Sequence, residues 1–389
     1  MHRSNIPQDA PEEVVQSAIA EGVLRNGAVS PIKFTGGDKF MRELRKRVDS
    51  YFDRTGRSRR DVPRMYFKTA TILGWFLGAY LLLMFVVHSW WLVVPLAVIL
   101  GLAVAAIGFN IQHDGSHKGY SDKAWVNKVM ALTLDLVGGS SYMWKWKHNA
   151  IHHTYPNVDG QDDDIDIGAL GRLAPEQPRY YFHRFQRFYL WLLYGFLAIK
   201  WHLFDDFLSV AKGKISRHKI PRPKGMDLFT FIAGKVVFLS LAFAIPMLRH
   251  PWWGVLSVYV IAACTCGVVL SVVFQLAHCV EDAQFPVPVM SAKGNPELQS
   301  EWAVHQVQTT VDFARGNRLL GWYVGGLNFQ IEHHLFHKIC HVHYPAISKV
   351  IEEACNEFGV RYAAHRTFFG AVASHYRWLR QMGQAPTSA

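Results

Sequence analysis

Four long apolar runs and one regularly spaced amphipathic segment organise this chain of 389 residues. Residues 69–87 and 91–109 are each 19 residues long without a charged side chain, and residues 228–248 and 252–274 are longer still. Helices of that length cross a hydrocarbon core of roughly 30 Å. The joint within each pair carries adjacent tryptophans, Trp90-Trp91 and Trp252-Trp253, and at most one basic residue, Arg249. This predicts two membrane hairpins with aromatic residues at their interface. Between them, residues 124–137 are broken by Lys128 and Asp135, and residues 188–199 give only about 18 Å of helix. Both are expected to lie at the membrane interface. Near the start, Phe40, Leu44, Val48 and Phe52 recur every fourth residue while Arg42, Arg45, Lys46 and Arg47 occupy other faces. That pattern predicts an amphipathic helix, lying on an anionic membrane or packed on a soluble cap.

Charge then fixes the expected orientation. Thirteen Lys and Arg precede the first hairpin up to Arg64, and the connection between hairpins is also basic, which places both termini and the connection on the cytosolic side. The net charge of +11 is accounted for in this way, since no nucleic-acid-binding signature accompanies it. The fold class expected is an all-α membrane protein, four transmembrane helices in two hairpins with interfacial helices and a cytosolic cap. Residues 1–64 form an N-terminal cytosolic region, loosely ordered to about residue 36, residues 65–365 the membrane domain, and 366–389 a tail. No apolar leader opens the chain. Lys235, the one ionisable residue in the four runs, is expected to snorkel to the interface. Cys264, Cys266, Cys279, Cys340 and Cys355 include no CxxC pair and read as reduced packing residues.

The candidate chemistry lies in histidines. His113 and His117 follow the second run, and His148, His152 and His153 close the segment Trp144-Lys145-Trp146-Lys147-His148-Asn149-Ala150-Ile151-His152-His153. The aromatic and basic residues of that segment suit a membrane-interface anchor. His333 and His334 follow Gln330, and His278 follows the fourth run. On an α-helix His148 and His152 share a face and His153 points about 100° away. Seven imidazoles, eight with His278, exceed one tetrahedral zinc and suit two metal ions. Imidazole alone does not decide among iron, copper, nickel and zinc. One further span between the hairpins would separate these groups across the membrane, which supports the count of four.

The order HxxxH, HxxxHH, QxxHH around two hairpins resembles the membrane fatty acid desaturase family over roughly residues 35–365. The likeness extends to Asn157-Val158-Asp159-Gly160-Gln161-Asp162-Asp163 and Gly326-Leu327-Asn328-Phe329. It implies two non-haem iron ions held by His113, His117, His148, His152, His153, His333 and His334, with His278 as the extra ligand. It also implies desaturation of an acyl-CoA or acyl lipid in the bilayer, using O2 and two electrons, in a bacterial inner membrane. Gln330, standing where many relatives have a third histidine, is similar to front-end desaturases but occurs with other regiochemistry too, so bond position stays open. Asp114, Glu332 and the run Asp162-Asp163-Asp164-Ile165-Asp166 are candidate acceptors behind the ligands, although an acidic run of this kind is more often a solvated loop. His305, His337, His341 and His343 read as surface or loop histidines, and His183, His202, His218, His365 and His375 as ordinary ones.

No His-Pro-Gly-Gly haem-binding stretch occurs, so electrons are expected from a separate acidic donor of the ferredoxin, rubredoxin or cytochrome b5 type with its reductase. Arg172, Arg179, Arg184 and Arg187 could instead bind phosphates of coenzyme A or a lipid headgroup. Three rivals share some features: an acyl hydroxylase with the same ligands, a zinc-dependent membrane lipid hydrolase, and a metal-free membrane scaffold.

Overall fold

A computed structural model describes residues 32–385. The loose order expected of the N-terminus therefore lies mostly outside the described residues, and at its edge Lys33–Phe34 pair in parallel with Glu297 and Leu298. In chain order the helices that matter here are α1 (Lys39–Thr55), α2 (Pro63–Phe85), α3 (Trp90–Ser116), α4 (Ala124–Ala131), α5 (Lys145–His152), α6 (Gln186–Leu193), α7 (Phe196–Lys200), α8 (Met226–Met247), α9 (Trp252–His278), α10 (Trp302–Gln308), α11 (Gln330–Phe336), α12 (Tyr344–Phe358) and α13 (Phe368–Gly383).

Helices α2, α3, α8 and α9 are each long and apolar enough to cross a bilayer. Pro63 opens α2, where its missing N–H is no loss. Helix α3 crosses α9 so closely at Gly101 that a Cβ there would stand 2.4 Å from the Ala262 carbonyl. The two hairpin joints lie together, Trp90 stacking on Trp253 at 5.8 Å and His88 meeting His250 at 6.1 Å. Because both joints share one face, α3 and α9 both deliver their last residues to the other.

At that end stands the cap. The amphipathic helix α1 packs on it: Phe40, Leu44, Val48 and Phe52 are buried with Val307, Ile331, Leu335, Ile347 and Ile351 from α10, α11 and α12. Of its two expected placements, the packed one is observed. The free amides of Phe40 and Met41 at its first turn donate to the Glu301 carboxylate at 3.0 and 2.7 Å, satisfying donors that every helix leaves open. The two interrupted apolar stretches form the short helices α4, α6 and α7, which expose Trp125, Val129, Phe188, Leu192 and Phe196.

Lys235 departs from expectation. Rather than reaching for the interface, it is buried, with Nζ 2.7 Å from Asp206 and 2.7 Å from the Gly138 carbonyl. A carboxylate brought in from the connection neutralises the ammonium where it sits, so the side chain has no need to extend. All five cysteines are free, and four of them are buried, as expected of packing residues.

Candidate metal centre

The first pair of histidines is presented by the end of α3. Its winding loosens to a π-turn over Ile107–Gln112 and tightens again over His113–Ser116. The Asn110 side chain pins the loosened turn, its amide donating to the carbonyls of Ala106 and Tyr323 at 2.8 Å each. His113 and His117 end with ring centres 4.8 Å apart.

Helix α5 is π-wound throughout, which corrects the α-helical expectation. The His153 amide donates to the His148 carbonyl, five residues back, at 3.1 Å. With one more residue in each turn, His152 and His153 fall on either side of the line through His148. Their ring centres lie 5.2 and 4.8 Å from that of His148. An α-helix would have turned His153 away, whereas here all three imidazoles face one space. Runs of this rare winding often mark functional sites.

His333 and His334 come from the short α11. It is approached through Gly325 and Gly326, both at positive φ (63° and 70°). A Cβ on Gly325 would lie 2.1 Å from the Phe109 carbonyl, so this glycine lets the loop press on the π-turn that carries His113. His278, the last residue of α9, completes the set at 4.8 Å from His152 and 5.0 Å from His334 between ring centres.

The eight predicted imidazoles thus converge, all of them buried. Potential ligand atoms of His113, His117, His148 and His333 lie within 4.8 Å of one another, as do those of His152, His278 and His334, and those of His153, His333 and His334. Nε2 of His148 is 3.2 Å from that of His113 and 3.2 Å from that of His153, which in turn is 3.0 Å from that of His333. Burial and neighbouring imidazoles hold His117, His153, His333 and His334 well below the usual histidine range, and burial drives His148 down to about 4. These rings are neutral, with lone pairs available. Burial also opposes charge on His152, but the Asp162 carboxylate outweighs it and raises that group.

Several rings are oriented from behind. Nδ1 of His152 donates to Asp162 at 3.0 and 3.1 Å, Nδ1 of His334 to Gln306 Oε1 at 2.8 Å, and Nδ1 of His333 meets Tyr344 Oη at 3.4 Å. Such bonds fix the tautomer so that Nε2 faces inward. Nε2 of His117, of His152 and of His334 is buried without a hydrogen-bond partner among the described residues. Orphaned lone pairs gathered in one buried space fit a cation, which would satisfy several at once.

The acidic run is only in part the solvated loop expected, with Asp166 exposed and Asp163 and Asp164 half-buried. Asp162 is buried and also accepts from the backbone amides of Asn157 and Asp164, at 3.0 Å each, while Asp163 and Asp164 pair with Lys147 at 3.1 Å. The turn that folds it inward uses positive φ at Asn157 and Gly160. The other candidate acceptors sort differently. Gln330 meets His278, its amide 3.0 Å from Nε2. Asp114 turns instead to the His341 ring at 2.8 Å, which also lies 2.9 Å from Lys68 Nζ. Glu332 is buried on the far side of α11, accepting from Tyr362 at 2.8 Å beside Asp312. Neither of these two carboxylates hydrogen-bonds one of the eight imidazoles among the described residues.

The four histidines expected at the surface or in loops are all buried, His305 and His343 included, and His337 and His341 stand nearest the cage. His341 is buried in the Asp114–Lys68 contact, and the His337 ring lies 4.8 Å from His117 and 5.0 Å from His153. The spacing from His333 to His337, one helical turn, was the available signal. Gln306 carried none, because a glutamine 28 residues from its partner looks like any other. Trp144, expected at the membrane interface, stacks on His148 at 4.3 Å and on Trp201 at 5.5 Å.

Four membrane-length helices carrying a buried cage of imidazoles at one end define a membrane protein with histidine clusters that could hold metal. The sequence profile of the family described as fatty acid desaturase matches residues 89–366. The chain is 42% identical to the sn-1 linoleoyl-lipid 6-desaturase of Arthrospira platensis over 359 residues, covering 92% of this chain and 96% of that one. It is 39% identical to the protein of that name from Synechocystis, covering 91% and 98%, and 37% identical to the acyl-lipid (8-3)-desaturase of Physcomitrium patens, covering 89% and 72%. The chain belongs to the fatty acid desaturase family, and is an oxidoreductase of that kind.

Proposed function

We propose that this desaturase acts on acyl chains of membrane lipids and inserts its double bond between an existing one and the carboxyl end. The names of the two cyanobacterial relatives and Gln330 in the third histidine group support that reading. The observation that carries the catalytic part is the set of buried, partnerless Nε2 atoms on His117, His152 and His334. In this reading two non-haem irons occupy the cage. His113, His117, His148 and His333 would hold one and His152, His278 and His334 the other, with His153 between them.

Bound iron supplies the oxidising power, drawn from O2 and two electrons, that an unactivated methylene pair requires and no side chain offers. Two hydrogens leave the chain, two protons and two electrons enter, and O2 ends as two waters. The protein's own part is positional. Asp162, Gln306 and Tyr344 hold three imidazoles with Nε2 inward, Gln330 lies against the Nε2 edge of His278, and α10, α11 and α1 wall the cage from water. Electrons come from a separate small acidic protein of the ferredoxin, rubredoxin or cytochrome b5 type, and the termini and cage face the cytosol. Eight converging imidazoles are more than a zinc hydrolase uses.

The test is expression with a ferredoxin or cytochrome b5 donor, with and without oxygen, followed by mass spectrometry of lipid fatty acids and metal analysis. The expected result is an oxygen-dependent alkene on the carboxyl side of an existing double bond, with about two irons per chain. A product gaining oxygen mass would establish the hydroxylase instead. One zinc with no new alkene would refute the proposal.

A further inference from the structure

Among α2, α3, α8 and α9 lies a cavity of about 430 Å³ that the histidine cage does not use. Its wall follows α3 from Trp90 to Val104, about 21 Å of helix. Most of the lining is apolar, including Phe76, Leu83, Leu241 and Val258, and its joint end is marked by His88, Arg249 and His250. Two observations separate it from the cage. Val104, its deepest residue on α3, precedes His113 by about 13 Å of helix. That gap is filled by Ile107, Ile111 and Leu134, with Trp144 and Trp201 packed against them.

We propose that this cavity holds one acyl tail of a bilayer phospholipid that is not the substrate, its anionic headgroup resting on Arg249 at the hairpin joints. An apolar cavity of about 150 Å³ takes one benzene, so 430 Å³ takes on the order of 17 carbons. That is one tail, and the second stays in the surrounding lipid. The joint end of the lining has headgroup chemistry. Arg249 is exposed, lies over the Phe85 ring at 5.0 Å and makes no ion pair among the described residues. Nε2 of His250 donates to the Met84 carbonyl at 3.0 Å, and the guanidinium is the permanently charged group at this end for a phosphate. The stacked pair Trp90 and Trp253 flanks it at the depth where indoles meet headgroups.

The test uses the whole protein in nanodiscs of phosphatidylcholine with a minor share of phosphatidylglycerol, released into mild detergent for native mass spectrometry. The expected result is one phospholipid per chain, enriched at least fivefold in phosphatidylglycerol over its share of the bilayer. Val258→Trp on α9 and Leu241→Trp on α8, each checked for wild-type metal content, should lose the lipid at least tenfold. Arg249→Ala should keep a lipid and lose the enrichment. Wild-type protein without bound phospholipid would overturn the proposal, as would full lipid retention in both tryptophan variants or unchanged enrichment in Arg249→Ala. A shift of either tryptophan variant toward shorter acyl substrates, with lipid content unchanged, would assign the cavity to the substrate's tail instead.

Discussion

Asp162→Asn is the sharpest probe of how the cage is held. The Asp162 carboxylate is full: it accepts the His152 Nδ1–H and two backbone amides, those of Asn157 and Asp164. A carboxamide of the same shape has one acceptor oxygen, so its NH2 must face a donor, either the imidazole or a backbone N–H. The lost bond is charge-assisted, worth about 1.5–3 kcal/mol, and removing such a partner of a metal-bound imidazole typically weakens metal binding about 10- to 100-fold. The expected outcome is loss of that size for the ion proposed at His152, His278 and His334, with the other ion retained. Chelator competition followed by metal analysis measures it, and circular dichroism melting shows whether the fold survives. Asp163→Asn is the matched control, since Asp163 pairs only with the partly exposed Lys147; it should change affinity by less than about threefold. Wild-type metal affinity in Asp162→Asn, or equal losses in both variants, would refute the reasoning.

Other expectations concern the frame around the cage. Asn110→Ala removes two hydrogen bonds, leaves the Tyr323 and Ala106 carbonyls short of a donor, about 1–3 kcal/mol each, and frees the π-turn to rewind, rotating His113; metal content should fall, and unchanged content would count against a positioning role for that turn. Gly325→Ala drives a Cβ into the Phe109 carbonyl and should abolish metal loading, whereas Gly316→Ala, with open space around it, should leave loading unchanged; equal behaviour would rule out the steric argument. Asp206→Asn strands the buried Lys235 ammonium and should cost about 3–5 kcal/mol in detergent unfolding, with Asp206→Leu plus Lys235→Met recovering most of it; no recovery would show that the pair does more than neutralise itself. His375 donates from Nδ1 to the Cys279 carbonyl at 2.6 Å and accepts from Tyr194 at 2.7 Å, so burial keeps it neutral and pushes it down to about 4 from an ordinary 6.5. The unfolded imidazole takes a proton below about 6.5 and the folded one does not, so this contribution, about 3 kcal/mol, is complete above 6.5 and lost as pH falls toward 4. Protection factors of α13, taken relative to the intrinsic exchange rate at each pH, should fall across that window, and equal protection factors at pH 4.5 and 7.5 would contradict it.

The membrane half of the fold was legible because its signal is one-dimensional. A run of apolar residues long enough to span the bilayer is a helix wherever it packs, and the tryptophan joints of the two hairpins marked where each run turns. Lys235 was misread for the same reason: its partner Asp206 lies 29 residues earlier, in a connection whose course the sequence does not display. The amphipathic helix α1 was legible as a helix, but its Phe40–Phe52 stripe fits a bilayer or a protein equally well. The choice depended on α10 and α12, far along the chain.

The cage was legible as a set of residues and illegible as a geometry. Histidine groups announce themselves by type and spacing, and all eight come together. How they divide depends on winding: under α-helical geometry His153 leaves the site, and the π-turn that returns it has no signature in Lys145-Trp146-Lys147-His148. What orients the rings was harder still to read, because proximity in sequence misled. Asp114 and Glu332 stand beside histidines and turn elsewhere, since adjacent residues on a helix point about 100° apart. Asp162 and Gln306 lie ten and 28 residues from the rings they hold and approach from behind, where the Nδ1 edge is. The two groups differ in charge, and that difference has a consequence. His152 is backed by a carboxylate and His334 by a neutral amide, so His152 is the more basic donor and should make the stronger bond to the ion the two are proposed to share. The asymmetry belongs to the loop at 157–164 and to α10, elements that carry no histidine in the cage.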